Sequence, residues 1–152
     1  MEKHADNPDR AVIAACIQSS AKNITMNSSP LLEALKCQIV EASEKRIRLR
    51  FQPDVAYVQG NGVVCGGIVA TMLDFALAFA GLTTCGEGES AVSISLNVNY
   101  LGPVLPGHFL VDANLATNGF RIAQAEAKLL SPDGTILATA TSPLAMKRHH
   151  KA

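Results

Sequence analysis

The chain has 152 residues, with 13 Lys and Arg against 13 Asp and Glu, so its formal net charge is zero. This length suits one domain with a sizeable core, and a hydrophobic fraction of 48% excludes a disordered chain. A neutral chain has no long-range attraction to nucleic acid or to an anionic membrane, so neither is expected as a partner. Charged residues make up only 17%, which predicts that part of the surface is buried against another subunit.

The four cysteines, Cys16, Cys37, Cys65 and Cys85, lie far apart and form no C-x-x-C pair, so no metal site is expected. The polar start MEKHADNPDR does not resemble a signal peptide. We therefore expect free thiols in the cytoplasm. The apolar run 63–82 contains Asp74 and several glycines, which favours a buried helix over a membrane span.

The first thirty residues predict two short helices. Residues 11–22 have an amphipathic pattern, and Ser29-Pro30 is typical of a helix start, with Ser29 as the N-cap of LLEALK. The chain is accordingly divided into three parts: a tail with a short helix over 1–29, one domain over 30–146 and a basic tail over 147–152.

From Gln38 onwards the sequence predicts strands. QIVEA (38–42) and RIRLRF (46–51) flank a polar turn, and Arg46, Arg48 and Arg50 form one face of the second strand. This arginine stripe is either a solvated sheet face or an anion site. Four further strands, joined by short turns that include Asn118-Gly119, predict an antiparallel meander; they cover 92–100, 108–116, 120–130 and 135–142.

Between the two groups of strands, residues 66–82 predict one long apolar helix that must be covered on most sides. The expected fold class is therefore α+β, with an antiparallel sheet wrapped around a long central helix. Bulky residues form a stripe expected to pack into the sheet: Ile68, Met72, Phe75, Phe79 and Leu82. Small residues form a second stripe that would admit another backbone or a ligand: Gly67, Ala70, Thr71, Asp74, Ala78 and Gly81.

Asp74 is the only charged residue between Asp54 and Glu87, and it lies in the middle of the small stripe. A buried, unpaired carboxylate costs several kcal/mol, so a protein keeps one only with a partner or a chemical task. The alternative is an Asp at the helix surface or one bonded within a subunit interface.

The segment before the helix, Gln59-Gly60-Asn61-Gly62 followed by Val63 to Gly67, is rich in glycine. Such a loop exposes the first backbone N–H groups of a helix, which together with the helix dipole can bind an anion or a polarised carbonyl oxygen. The alternative is that the glycines serve the geometry of the loop alone. Cys65 could act as a nucleophile at this helix start, but His108, the only mid-chain histidine, is not placed to serve as its base.

On strand 92–100, a face of uncharged polar residues suits an interface or the edge of a site; it consists of Ser93, Ser95, Asn97 and Asn99.

Three features in order resemble the hotdog-fold acyl-CoA thioesterases of the phenylacetate-pathway (PaaI-like) family: Gly62-x-x-Cys65-Gly66-Gly67, Asp74 and SISLNVNYLGPV. The resemblance covers about residues 30–146. The resemblance implies hydrolysis of an acyl-CoA thioester to free acid and CoA. It implies no metal and no cofactor other than the coenzyme A of the substrate. It also implies a homodimer, often paired into a homotetramer, with each active site shared across the dimer interface.

By the same resemblance, Asp74 would be the general base or nucleophile. The Gly66 N–H would polarise the thioester carbonyl, and Ser93 would help to place the attacking water. Gln59 stands where the family usually has an Asn that orients the water or the acid, and Cys65 stands where it usually has His.

Arg121 follows Gly119-Phe120 where many relatives carry basic residues near the bound CoA. The residues expected to bind substrate are Cys65, Gly67, Asn61 and Arg121.

Of three other functions, the pattern leaves one open and disfavours the other two. A non-catalytic hotdog protein that binds acyl-CoA or a protein partner would explain the altered Gln59 and Cys65 positions. A hydratase or dehydratase usually relies on a His paired with a carboxylate, and this helix start has no His. A transcriptional regulator would need a DNA-binding module, for which the roughly 30 residues before the domain are too few.

Overall fold

The computed structural model describes residues 5–149, so the part of the predicted basic tail from His150 onwards lies outside the described residues. The helices are α1 (Pro8–Ser19), α2 (Pro30–Ala34) and α3 (Gly66–Leu82), with a short 3-10 turn at Val55–Tyr57. The strands are β1 (Ile24–Thr25), β2 (Gln38–Ser43), β3 (Arg46–Phe51), β4 (Ser90–Ser93), β5 (Asn97–Tyr100), β6 (Phe109–Asn118), β7 (Ile122–Leu130) and β8 (Ile136–Lys147).

These eight strands form one antiparallel sheet in the order β1-β2-β3-β6-β7-β8-β4, and β5 pairs with β8 on the same side as β4. The sheet wraps around α3, which packs against β3, β4, β6, β7 and β8. The inner face of β7 presents the small side chains of Ala123, Ala125 and Ala127, so the helix can lie close to the sheet. The expected α+β arrangement is confirmed.

The N-terminal segment differs in extent from the prediction. Helix α1 covers Pro8–Ser19 instead of 11–22, because the Asn7 side chain accepts a hydrogen bond from the Asp9 N–H and Pro8 takes the first helical position. It places Ile13 and Cys16 in the core shared with the sheet. The predicted start of α2 is confirmed, since Ser29 Oγ accepts a hydrogen bond from the Leu32 N–H at 3.3 Å.

The strand predicted over 92–100 is wrong as a single element, because it divides into β4 and β5. In β4, Ser93 lies opposite Leu144, whereas in β5, Asn97 lies opposite Thr141, so the pairing with β8 shifts by one residue between them. A shift of one residue exchanges the two faces of a strand. The polar face predicted from strict alternation is therefore broken.

After this shift, the side chains of β4 and β5 alternate differently. Ser93 lies opposite the buried Leu144 and faces α3. Asn97 and Asn99 lie on the outer face of the sheet, while Tyr100 lies opposite the buried Ala138 and faces inwards. Tyr100 thus faces the helix on the same side of the sheet as Ser93, whereas strict alternation over 92–100 would place the two on opposite faces.

The predicted four-stranded meander is also wrong in its first member. Only β6, β7 and β8 follow one another as neighbours, and β6 pairs with β3 on its other side. Strands β4 and β5 cross to the far edge of β8. Because β6 pairs with β3 on one side of the sheet, β4 and β5 pair with β8 at the other end of the strand order.

The buried face of α3 is wider than the predicted bulky stripe. Met72, Phe79 and Leu82 are buried as expected, but Ile68 and Phe75 are only half-buried. The buried face also includes Val69, Leu73, Ala76, Leu77 and Ala80. Gly81, predicted to face a ligand or partner, is buried against Ala91 and Leu144.

All four cysteines are free: Cys65 is exposed, and Cys16, Cys37 and Cys85 are buried. Burial raises the pKa of Cys37 to about 12 and the pKa of Cys85 to about 11. Within residues 5–149, no helix is both long and apolar enough to cross a membrane.

Candidate active site

Asp74 and Ser93 form the one direct contact between predicted catalytic side chains. Asp74 lies in the third turn of α3 and is half-buried, and Ser93 ends β4 on the inner face of the sheet. Ser93 Oγ donates a hydrogen bond of 2.6 Å to Asp74 Oδ1. A hydrogen bond to a carboxylate fixes its orientation. Asp74 is thus neither enclosed without a partner nor free at the surface.

The segment before α3 forms a small hairpin that holds the helix start. Val58 and Val64 pair across it, and Gly62 adopts a φ of 77° at its tip, which favours glycine. The Cys65 N–H donates to the Tyr57 carbonyl at 2.8 Å. Among the described residues, the N–H groups of Gly66 and Gly67 have no acceptor, as expected for the first turn of a helix.

Two predicted residues of this segment interact with each other instead of with Asp74. Gln59 Oε1 accepts a hydrogen bond of 2.6 Å from the Asn61 N–H, and both residues are exposed. Cys65 is the N-cap of α3, but its side chain makes no capping hydrogen bond, and its thiol is exposed. Cys65 therefore lies beside the free N–H groups of the helix, whereas Gln59 and Asn61 bond to each other within the loop.

Within one chain, the helix start and Asp74 are too far apart to act on one thioester. Gly66 and Asp74 are eight residues apart on the same helix, which corresponds to about 12 Å along the axis. In a thioester, the carbonyl carbon that is attacked and the carbonyl oxygen that is polarised are joined by one C=O bond, about 1.2 Å long. One bound thioester therefore cannot contact both groups of the same subunit.

Arg121 lies at neither of these two places. It is exposed in the β6–β7 hairpin, and its carbonyl accepts a hydrogen bond from the Met146 N–H. The neighbouring Asn118 side chain contacts Thr84, just beyond the C-terminal end of α3. The predicted Asn118-Gly119 hairpin is confirmed, and a Cβ at Gly119 would lie 2.3 Å from the Ile122 carbonyl oxygen. In one chain, Arg121 is thus at the opposite end of α3 from Gly66.

The arginine stripe on β3 lies on the outer face of the sheet and is largely paired. Arg48 forms two hydrogen bonds with the Asp112 carboxylate, at 2.5 and 2.8 Å, and this contact raises the pKa of Arg48. Arg50 donates to the side-chain oxygens of Asn23 and Gln38. These pairs favour the solvated sheet face over an anion site.

The sequence did not identify Tyr100 as part of the site. Its hydroxyl donates a hydrogen bond of 2.7 Å to the Gly66 carbonyl. Strict alternation over 92–100 groups Tyr100 with the apolar residues Val92, Ile94, Leu96 and Val98 and opposite to Ser93. The one-residue shift between β4 and β5 is not visible in the hydrophobic pattern, so the sequence carries no signal for this contact.

In the part of the chain that the structure describes, no three His, Cys, Asp or Glu side chains cluster in a way that could hold a metal ion. The candidate site is therefore composed of a carboxylate, a hydroxyl and backbone N–H groups. A carboxylate with a hydroxyl can activate water, and free N–H groups at a helix start can stabilise a developing oxyanion.

The sequence model of the thioesterase superfamily matches residues 61–138, about half of the chain, and this range includes the glycine-rich loop from Asn61 onwards, α3 and Ser93. The chain belongs to the thioesterase superfamily. A relative in Halobacterium salinarum, named "Putative esterase", is 32% identical over 127 residues, which cover 80% of each chain. The family therefore supports thioester hydrolysis as the general activity.

Two solved structures illustrate the fold of this thioesterase-superfamily protein. One is a "putative thioesterase, phenylacetic acid degradation-related protein" from Ralstonia eutropha, with a TM-score of 0.75 and 24% identity, covering 88% of this chain and 98% of that one. The other, from Streptococcus mutans, was solved with acetyl CoA bound; its TM-score is 0.67 at 18% identity, covering 73% of this chain and 90% of that one. These likenesses confirm the hotdog fold.

Proposed function

We propose that this protein is an acyl-CoA thioesterase of the phenylacetate-pathway type that hydrolyses its substrate to free acid and CoA. The observation that carries the proposal is the hydrogen bond of 2.6 Å from Ser93 to Asp74 on the half-exposed face of α3. The Streptococcus mutans protein that shares the fold binds acetyl CoA, which supports a CoA thioester as substrate. The four free cysteines support a reducing compartment, so the proposal includes a cytoplasmic location.

In the proposed reaction, Asp74 acts on the thioester carbon either through water or directly. As general base, Asp74 takes a proton from water, and the hydroxide attacks the carbonyl carbon. The oxyanion then accepts a hydrogen bond from the Gly66 N–H at the positive end of the helix dipole. Collapse of the intermediate breaks the C–S bond, and the departing CoA thiolate takes up a proton. Ser93 occupies Asp74 Oδ1 and so leaves the other carboxylate oxygen for water.

The proposed site needs a second copy of the chain, because Asp74 and Gly66 of one chain lie about 12 Å apart along α3. A two-fold axis that sets two α3 helices antiparallel would bring Asp74 of one subunit to Gly66 of its partner. The exposed edge of the sheet supports such a pairing. Strands β4 and β5 have a strand neighbour on one side only among the described residues, and Val92, Tyr100 and Leu101 on this edge are all more than half exposed.

The first experiment measures hydrolysis of aryl, short-chain and medium-chain acyl-CoAs by the wild type, Asp74→Ala and Asp74→Asn. Loss of the thioester absorbance should be followed, since free cysteines such as Cys65 interfere with thiol reagents. We expect turnover by the wild type and a loss of at least about 100-fold in both variants. Asp133→Asn, in the β7–β8 turn, is the matched control and should retain wild-type turnover. Equal rates for Asp74→Ala and the wild type would exclude the proposed role of Asp74.

A second experiment tests whether the site is shared between subunits. Gly66→Pro removes the proposed donor N–H, and proline suits the first position of a helix after an extended residue such as Cys65. Asp74→Asn and Gly66→Pro should each be inactive as homodimers. When the two variants are co-expressed, about half of the dimers should be mixed, and each mixed dimer contains one intact site out of two. The co-expressed protein should therefore regain about a quarter of the wild-type activity. No recovery in mixed dimers, or a stable 16.0 kDa monomer in light scattering, would contradict the shared site.

Two further expectations concern the substrate and metal ions. If Arg121 contacts a phosphate of CoA, Arg121→Ala should raise KM for acyl-CoA but not for the corresponding acyl-pantetheine, which lacks the nucleotide. A chelator should leave the rate unchanged, since the proposed steps use only Asp74, Ser93 and backbone N–H groups.

The alternative function is binding of acyl-CoA without hydrolysis. It is favoured by Gln59, whose side-chain oxygen is engaged by Asn61 within its own loop, and by the exposed Cys65 in the position of the family's His. Calorimetry that detects binding of a CoA thioester, together with no turnover of any acyl-CoA, would support this alternative. Turnover by the wild type would exclude it.

A further inference from the structure

Tyr100 makes the only side-chain hydrogen bond to the first turn of α3 from outside the helix, among the described residues. It lies at the end of β5, and its hydroxyl is 2.7 Å from the Gly66 carbonyl oxygen. The ring also lies directly against Gly66, since a Cβ at this position would be 3.3 Å from the hydroxyl oxygen and 3.4 Å from Cζ. Glycine at 66 is thus what lets the tyrosine approach the helix backbone.

This hydrogen bond acts on a defined peptide group. The Gly66 carbonyl and the Gly67 N–H belong to the same planar peptide unit. A donor on the carbonyl polarises that unit, which strengthens hydrogen bonds donated by its N–H. The preceding peptide unit is held in the same way, because the Cys65 carbonyl accepts from the N–H groups of Ile68 and Val69 at 2.9 and 3.1 Å.

We propose that Tyr100 is a positioning residue of the carbonyl-binding site, and that its hydroxyl orients and polarises the Gly66–Gly67 peptide so that the Gly67 N–H acts as a second oxyanion donor beside the Gly66 N–H. This inference rests on the proposed thioesterase function. Tyr100 does not touch the reacting atoms in this arrangement. It acts through the backbone of the helix start, which it ties to the edge strand β5.

Tyr100→Phe is the direct test, because it removes the hydroxyl and keeps the ring. The oxyanion develops only in the transition state, so the loss should appear in kcat, about five- to tenfold, while KM stays close to the wild-type value. Tyr57→Phe is the matched control, since Tyr57 is the only other tyrosine and its hydroxyl has no hydrogen bond within the described residues. Its kcat and KM should equal those of the wild type.

A double-mutant cycle separates this role from a general effect on packing. In Gly66→Ala the added Cβ would lie 3.3 Å from the Tyr100 hydroxyl oxygen, so the ring has to shift and the same hydrogen bond is weakened, although the Gly66 N–H remains. Tyr100→Phe should therefore reduce kcat less than about twofold further when it is added to Gly66→Ala. Independent, multiplicative losses would show that the two residues do not act through one contact and would overturn the inference.

A measurement without substrate tests the inference separately from the proposed function. The 15N resonance of the Gly67 amide should move in Tyr100→Phe and stay in place in Tyr57→Phe. Wild-type turnover with an unchanged kcat in Tyr100→Phe would overturn the inference and leave the thioesterase function intact. If the wild type hydrolyses no acyl-CoA, the proposed function fails, and an unmoved Gly67 resonance would then also reject the polarised peptide.

Discussion

The two halves of α3 are similar in composition but differ in their surroundings. We call residues 66–75 the open half and residues 76–82 the closed half. In the closed half every residue except Ala78 is buried, and Gly81 touches both β4 and β8. In the open half, one side packs on the sheet through Val69 and Leu73, while the other side remains half-exposed and includes Asp74.

This difference shows how one apolar helix can serve both stability and chemistry. The closed half is covered because β4 approaches it with the small side chain of Ala91. At the open half, β5 contributes the long side chain of Tyr100, which contacts only the first turn. The half-exposed side of the open half therefore carries the carboxylate, and the free N–H groups lie at its start.

The largest expected difference between the halves is in stability. Leu77→Ala in the closed half removes a fully buried side chain and should lower the free energy of unfolding by about 3 kcal/mol. Thr71→Ala in the open half should change it by less than about 1 kcal/mol, because its hydroxyl bonds only to the Gly67 carbonyl of its own helix. Urea unfolding of both variants measures the difference. Equal losses would show that the two halves are equally packed.

A pair of glycine substitutions tests the same contrast with one methyl group. In Gly81→Ala the new Cβ would lie 2.6 Å from Ala91 Cβ and 2.8 Å from Leu144 Cδ1, so we expect a loss of about 2 kcal/mol. In Gly67→Ala the nearest atom is Cys65 Sγ at 4.0 Å, and stability should hold or rise because alanine favours helix. Thermal melts of the two variants are the measurement. A stabilised Gly81→Ala would contradict the close packing of the closed half.

Ser93→Ala tests the polar contact of the open half. Loss of the hydrogen bond to the Asp74 carboxylate should lower kcat for acyl-CoA hydrolysis about tenfold. The matched control is Ser90→Ala, at the other end of β4 opposite Lys147, which should leave kcat unchanged. Steady-state kinetics on the best acyl-CoA substrate checks both variants. A tenfold loss in Ser90→Ala would indicate damage to β4 as a whole.

The smallest effect at neutral pH concerns Cys85, the buried cysteine just beyond the C-terminal end of α3. Burial raises the pKa of Cys85 from its ordinary value of 9.0 to about 11. Between these two pH values the thiol keeps its proton in the folded state and loses it in the unfolded state. The stabilising contribution is complete below pH 9 and is lost as the pH rises towards 11. Cys85→Ala should therefore flatten the decline of unfolding free energy between pH 9 and pH 11 relative to the wild type. Urea titrations at several pH values measure the two slopes; identical slopes for Cys85→Ala and the wild type would contradict the prediction.

The local features that the sequence predicted correctly depend on near neighbours in the chain. Ser29 caps α2, Gly66 begins α3, and Asn118-Gly119 turns β6 into β7, because caps and turns are set by a few adjacent residues. Asp74 was singled out because one carboxylate in an apolar helix is costly wherever the helix packs. The catalytic and binding roles of all the candidate site residues stay predictions: Asp74, Gly66, Gln59, Ser93, Cys65, Gly67, Asn61 and Arg121.

The sequence by itself determined the α+β class and the long central helix, since hydrophobic periodicity and glycine placement report on burial and turns. It also marked Asp74 as a lone carboxylate in an apolar helix, whereas Ser93 and Gly66 became catalytic candidates through the family resemblance. Only the tertiary structure decided that Ser93 faces Asp74, that strand 92–100 divides, and that Tyr100 therefore reaches Gly66. The physical reason is that a one-residue shift in strand pairing exchanges the two faces of the strand. That shift depends on the pairing with β8, about fifty residues away in the chain.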